Sequence, residues 1–231
     1  MAWCYFGGGG AAKEGGSALK AARRQNFSGL DDNERLVWKR GQRVKVALLG
    51  LDDAGKTSVL HSLQRAARGE EGEAGSTGRG EDGDRIKLCA PPPTTEPQTS
   101  EVEVEGLRLS ICDVPGRRTF RDSWMDKVVS SEGVVFVVDS TDAMRLPVVE
   151  LELDKVRRAT AEAEIPILLL ATKQDISGSL SGEKVSTQLG VKTGVASGGM
   201  RDPLTYVGEC SAADPAGVRA AFAKFVQARM T

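Results

Sequence analysis

Continuous apolar runs alternate with amphipathic ones along most of the chain. Arg43–Leu49 starts with polar–apolar alternation, ends wholly apolar, and predicts a strand. Lys56–Arg68 puts Val59, Leu60, Leu63 and Ala67 on one helical face, with Gly69 as a stop. Glu101–Val104 and Leu107–Cys112 flank a Glu105-Gly106 break and predict a hairpin. Arg118–Val129 predicts a short helix. Gly133–Asp139 and Ile165–Ala171 are unbroken apolar runs, as in parallel strands buried on both faces, with a helix from Pro147 to Glu164 between them. Tyr206–Cys210 predicts a last strand. Asp214-Pro215 then supplies an N-cap and a first-turn proline for a helix carrying Val218, Phe222, Phe225 and Val226 on one stripe. This alternation predicts an α/β fold, a doubly wound and mostly parallel sheet flanked by helices.

Two stretches fall outside the pattern. Residues 1–41 read as a partly flexible N-terminal appendage, with glycine runs at Gly7–Gly10 and Gly15–Gly16. Between Ser17 and Trp38 a helix or two is conceivable, with Leu19, Phe27, Leu30, Leu36 and Trp38 as contact candidates. The Trp3, Tyr5, Phe6 cluster makes membrane contact through the N-terminus conceivable, though a disordered terminus is the plainer reading. The second stretch is an acidic, glycine-rich insertion over 69–90. From Gly69 to Asp84 its composition cannot bury a core, and Pro91-Pro92-Pro93 then stiffens the approach to Thr94. The rest, 42–231, reads as one domain.

Composition narrows the function classes. A formal net charge of −1 gives no electrostatic case for nucleic acid. Cys4, Cys89, Cys112 and Cys210 are scattered, as reduced thiols in a cytoplasmic protein would be. His61 is the single histidine, too little for His-based metal or triad chemistry. No apolar stretch is long enough for a transmembrane segment, and the start lacks the basic and apolar regions of a secretory signal. Ala2 stands where N-myristoylation needs glycine.

The chemistry concentrates between Val44 and Ser58. Gly50, Gly55, Lys56 and Thr57 fill the pattern G-x-x-x-x-G-K-[ST], after an apolar run and before an amphipathic one. The backbone from Asp53 and Ala54 through Gly55, Lys56, Thr57 and Ser58 can curl its N–H groups into a nest for phosphate oxygens. A helix starting near Lys56 adds the positive end of its dipole. Lys56 can reach the β- and γ-phosphates, and the Thr57 hydroxyl can ligate Mg²⁺. Four weaker signals accompany it, in the chain order Thr94, Asp113, Thr172 and Ser211. Asp113-Val-Pro-Gly116 ends a strand, where the carboxylate can hold Mg²⁺ through water and the Gly116 N–H can meet a γ-phosphate. Thr94 follows a flexible stretch and can close on Mg²⁺. Thr172-Lys173-Gln174-Asp175 ends another strand, where Asp175 can accept two hydrogen bonds from guanine and the Lys173 stem can cover the base. Ser211-Ala212 can offer a backbone N–H to guanine O6. Each signal alone is common. Together, in this order, they predict a site for GTP or GDP with Mg²⁺.

These motifs resemble the small GTPases of the Arf (ADP-ribosylation-factor-like) family. Gly50-Leu-Asp-Asp-Ala-Gly-Lys-Thr is close to that family's GLDxAGKT, and Phe136-Val-Val-Asp-Ser140, Lys173-Gln-Asp-Ile176 and Gly178-Ser-Leu-Ser-Gly-Glu are similar too. The resemblance covers about Val44 to the C-terminus, apart from the insertion and a few extra residues near Thr193–Arg201. It implies a P-loop NTPase, Ras-like fold. It also implies switch I at Thr94, switch II from Asp113, base recognition by Thr172, Lys173 and Asp175, and action through protein effectors.

The departures are specific. The family's DVGGQ is Asp113-Val-Pro-Gly-Arg117, so arginine holds the catalytic glutamine position. The family's PTIGF is Pro93-Thr-Thr-Glu-Pro97. Three aromatic positions that many relatives use to read effectors hold Pro97, Cys112 and Lys127. The asparagine of NKQD is Thr172. Two functional expectations follow. One is a switch or regulatory subunit with weak or absent intrinsic hydrolysis, cytoplasmic or peripheral to a membrane. The other is a pseudo-GTPase, a nucleotide-stabilised structural subunit of a larger complex.

Overall fold

The computed structural model describes residues 37–70, 91–191 and 205–230. The aromatic cluster at Trp3, Tyr5 and Phe6, Cys4, the helices suggested after Ser17, the insertion from 71 onward with Cys89, and the extra residues near Thr193–Arg201 lie outside the described residues.

The strands are β1 (Arg43–Leu49), β2 (Gln98–Val104), β3 (Leu107–Asp113), β4 (Gly133–Asp139), β5 (Ile167–Thr172) and β6 (Thr205–Glu209). The helices are α1 (Lys56–Ala67), α2 (Trp124–Val129), α3 (Leu146–Ala163), α4 (Gly182–Gln188) and α5 (Pro215–Gln227). They build one six-stranded sheet in the order β2-β3-β1-β4-β5-β6. Only the β2–β3 pair is antiparallel. The doubly wound, mostly parallel sheet expected from the apolar runs is therefore the observed one.

The sheet separates two apolar layers. On one side Val46, Leu48, Val135 and Leu168 pack against α1 and α5 through Leu60, Leu63, Phe222 and Phe225. On the other, Ala47, Leu49, Phe136 and Leu169 pack against α2 and α3 through Trp124, Val128, Leu153 and Val156. β4 and β5 are buried at every position. A strand covered by helices on both faces has no polar face to display, which explains its unbroken apolar run.

Several boundaries differ from the sequence expectation. Pro166 has no N–H to donate, and the strand predicted from Ile165 begins at Ile167. The hairpin is longer, since Gln98 still pairs with Asp113, and its turn residues Glu105 and Gly106 both take positive φ. The single helix expected over Arg118–Val129 is a 3-10 turn at Arg118–Ser123 followed by α2. Asp214 occupies the N-cap position of α5 but makes no side-chain capping bond. Its carboxylate lies over Gly217, a place that a Cβ would fill. Helix α4 was not anticipated; its cap is Ser181, whose hydroxyl accepts from the Lys184 N–H at 3.3 Å.

Trp38 is fully buried. Its ring meets Phe225 edge-on at 5.4 Å, and its backbone N–H donates to the Arg229 carbonyl at 2.8 Å. The indole also covers Gly133, where a Cβ would stand 3.1 Å from it. A contact candidate of the appendage is thus part of the core.

Candidate nucleotide and metal site

The carboxyl ends of the strands carry the candidate residues. The loop after β1 leads into α1, Asp113 ends β3, Asp139 ends β4, Thr172 ends β5, and Ser211 follows β6. This is where open α/β sheets bind ligands. A cavity of about 570 Å³ lies there, lined by Asp53, Gly55, Lys56, Thr57, Ser58, Thr94, Gly116, Arg117, Asp139 and Lys173 among others.

The loop after β1 depends on backbone that few residues can adopt. Gly50 has φ 144°, and a Cβ there would overlap the Val137 carbonyl. Gly55, with φ 87°, is the residue before α1. Lys56 is buried, and its ammonium donates to the carbonyls of Gly50 at 3.0 Å and Leu51 at 2.8 Å. Burial lowers its pKa, and Asp113, Asp52 and Asp53 oppose that shift. The ammonium is held over the loop, within the cavity wall.

Three oxygen-bearing side chains converge beside it. Thr57 Oγ1 donates to Asp113 Oδ2 at 2.5 Å and lies 3.0 Å from Thr94 Oγ1. Thr94 Oγ1 lies 3.5 Å from the same carboxylate oxygen. The sequence spreads these residues over 57 positions of chain, from Thr57 to Asp113, and the fold collects them. The second oxygen, Asp113 Oδ1, is buried with no hydrogen-bond partner among the described residues. Burial raises the Asp113 pKa, while the Thr57 hydrogen bond and the Lys56 charge pull it down. A buried, half-satisfied carboxylate costs free energy unless a cation compensates it. Hydroxyl and carboxylate oxygens are the donors that Mg²⁺ accepts, so the residues fit that ion. Among the described residues no cluster of three His, Cys, Asp or Glu could hold a metal by itself. The remaining positions around a Mg²⁺ would fall to water and phosphate oxygens.

The base end is equally interlocked. The Thr172 hydroxyl is buried and donates to the Ala54 carbonyl at 2.8 Å. Lys173 has φ 61°, and its ammonium pairs with Asp139 Oδ2 at 2.6 Å. Burial by itself would raise the Asp139 carboxyl, but hydrogen bonds from Lys173 and Thr141 outweigh it and hold the pKa below the usual value. Ser211 Oγ donates to Asp175 Oδ1 at 2.6 Å and accepts from the Ala213 N–H. Of the expected base readers, Asp175 and Ser211 are joined directly, and Lys173 lines the cavity. Thr172 instead braces the phosphate loop. Burial also pushes the nearby Cys210 thiol up to about 12, with Asp214 and Asp175 adding to the shift.

Sequence reasoning missed a second network. Asp52 accepts from Arg121 at 3.2 Å and from Arg145 at 3.3 Å. Arg121 also holds the Gly116 carbonyl at 3.0 Å. Gly116 in turn sits on the phosphate loop, where a Cβ would be 2.5 Å from the Asp52 nitrogen. The segment after β3 is thereby tied to the loop after β1. No local pattern marks Arg121 or Arg145; Asp139 could have been found as a second carboxylate ending an apolar run.

Arg117 lines the cavity directly after Gly116. It is exposed and extended, with φ −62° and ψ 146°.

A model of the ADP-ribosylation factor family matches residues 82–229. ADP-ribosylation factor-like protein 5 of Caenorhabditis elegans is 31% identical over 156 residues, 68% of this chain and 76% of that protein. Human ADP-ribosylation factor-like protein 4D is 31% identical over 183 residues, 77% of this chain and 79% of that one. A solved structure of the Arl6 small GTPase from Trypanosoma brucei, with a bound nucleotide analogue GppNp, matches with a TM-score of 0.57 at 19% identity. That match covers 80% of this chain and 96% of the other.

Proposed function

Because the chain belongs to the ADP-ribosylation factor family, we propose that it is a guanine-nucleotide-binding switch or regulatory subunit. It binds GTP or GDP together with Mg²⁺. One observation carries the reading: Thr57, Thr94 and Asp113 meet beside Lys56, with one buried Asp113 oxygen unpartnered among the described residues. In this reading Thr57, Thr94 and Asp113, the last through water, hold Mg²⁺. The ion neutralises phosphate charge when bound. Lys56 and the N–H groups from Asp53 to Ser58 hold the phosphates, and Asp175 selects guanine. Thr94 contacts the ion from a loop rather than from a strand, so the contact can be made and lost. That is the property a switch needs.

Intrinsic hydrolysis is weak in this reading. Glutamine can both accept from and donate to the attacking water, whereas Arg117 has five donors and no acceptor. The chain acts through protein effectors, in the cytoplasm or peripheral to a membrane. Among the described residues no helix is long and apolar enough to cross a membrane.

The test is a melting assay with Mg²⁺. Ligand at ~100 times its dissociation constant adds about 2.7 kcal/mol. GTP and GDP should raise the melting temperature, ATP should not, and Lys56→Ala should abolish the effect. An equal shift with ATP would defeat the guanine assignment.

The ties from Arg121 to Asp52 and Gly116 favour a second reading, a nucleotide-stabilised structural subunit of a larger complex. Bound nucleotide that persists through purification and resists exchange in a chase would support it.

A further inference from the structure

Among the described residues, four cationic side chains line the cavity: Lys56, Arg117, Arg145 and Lys173. Three of them are engaged within the protein. Lys56 holds two loop carbonyls, Arg145 pairs with Asp52 and Asp142, and Lys173 pairs with Asp139. Arg117 is exposed and pairs with no carboxylate among the described residues.

Its backbone is nevertheless fixed. Three consecutive carbonyls are each taken by a donor. Trp124 Nε1 donates to the Pro115 carbonyl at 3.0 Å, Arg121 Nε to that of Gly116 at 3.0 Å, and the Phe120 N–H to that of Arg117 at 2.9 Å. The Trp124 indole and the Arg121 guanidinium are themselves almost wholly buried. A free guanidinium thus projects from a rigid backbone into a cavity that also holds Lys56, Thr57 and Thr94. The fixed backbone confines the ordering cost of binding to the side-chain rotamers. The planar fork of arginine matches two oxygens of a phosphoryl group.

We propose that Arg117 is a ligand of the terminal phosphate and makes this chain prefer a nucleoside triphosphate over the diphosphate. The proposal rests on the nucleotide-binding reading above. The neighbouring Gly116, Lys56 and Thr94 are the groups assigned to the γ-phosphate and its Mg²⁺, so only the triphosphate extends to Arg117. Arg117 acts here on the bound ground state. It retains GTP and need not speed its cleavage.

Dissociation constants for GDP and for a non-hydrolysable GTP analogue would be measured with Mg²⁺ on the full chain, for wild type, Arg117→Ala and Arg117→Lys. A lost charge-assisted hydrogen bond to phosphate corresponds to about tenfold or more in affinity. Arg117→Ala should therefore weaken the analogue by about that factor and leave GDP unchanged. Arg117→Lys, which keeps the charge without the fork, should fall between. An unchanged analogue-to-GDP ratio in Arg117→Ala would overturn the proposal and leave the nucleotide-binding reading intact. Equal loss of both ligands would also overturn it. Wild type that binds neither nucleotide would overturn both.

Discussion

The hydroxyl of Thr172, at the end of β5, donates to the carbonyl of Ala54, in the loop after β1, across 2.8 Å and 118 residues of chain. The same oxygen lies 3.0 Å from the Val138 carbonyl. One buried hydroxyl therefore joins the phosphate loop, β4 and the base motif. Thr172→Val keeps the shape and removes the donor, leaving the Ala54 carbonyl without this hydrogen bond. It should destabilise the protein by about 1–3 kcal/mol. Chemical denaturation would measure this, and Thr172→Ser should recover much of the loss. No loss in Thr172→Val would mean that the bond carries no net stability.

Asp113 is expected to make stability depend on both pH and Mg²⁺. Its pKa is raised in the fold, chiefly by burial. A carboxyl with a raised folded pKa favours folding most below its unfolded value and loses that contribution as pH rises through the folded value. Without nucleotide or Mg²⁺, Asp113→Asn should therefore gain stability relative to wild type as pH rises from about 3.8 toward neutrality. With GTP and Mg²⁺ the order should reverse, because asparagine carries no charge to offer the ion. Melting curves against pH in the two conditions check this. A variant less stable than wild type in both, at every pH, contradicts it.

Arg117 should leave GTP turnover slow. Single-turnover hydrolysis on GTP-loaded protein would compare wild type with Arg117→Gln and Arg117→Ala. The expected gain is confined to Arg117→Gln, where a neutral side chain can orient water. Wild-type turnover well above Arg117→Ala would make the arginine catalytic and refute the expectation.

Effectors that read an aromatic cluster should not bind. Pro97 is exposed, Cys112 and Lys127 are half-buried, and none supplies an aromatic hot spot. A pull-down with GTP-loaded protein that recovers a general Arf effector at ordinary affinity would sink this prediction.

The amino-acid sequence by itself determined the sheet and the phosphate loop. β4 and β5 are legible because strands buried on both faces need uninterrupted apolar residues. The loop from Gly50 to Thr57 is legible because the groups that would cradle phosphate are consecutive in the chain. Asp113 and Thr172 could be placed at strand ends for the same local reason. Tertiary structure decided the rest. It brought Thr94 to Thr57, clamped Asp52 between Arg121 and Arg145, turned Thr172 toward Ala54, and buried Trp38 on Phe225. It also replaced the first half of a predicted helix with the 3-10 turn that carries Arg121. The physical reason lies in range. Periodicity and turn chemistry act between residues a few positions apart, and one sequence records them. Ion pairs and buried hydroxyls join residues dozens of positions apart, and their partners exist only once the sheet has brought the strand ends together.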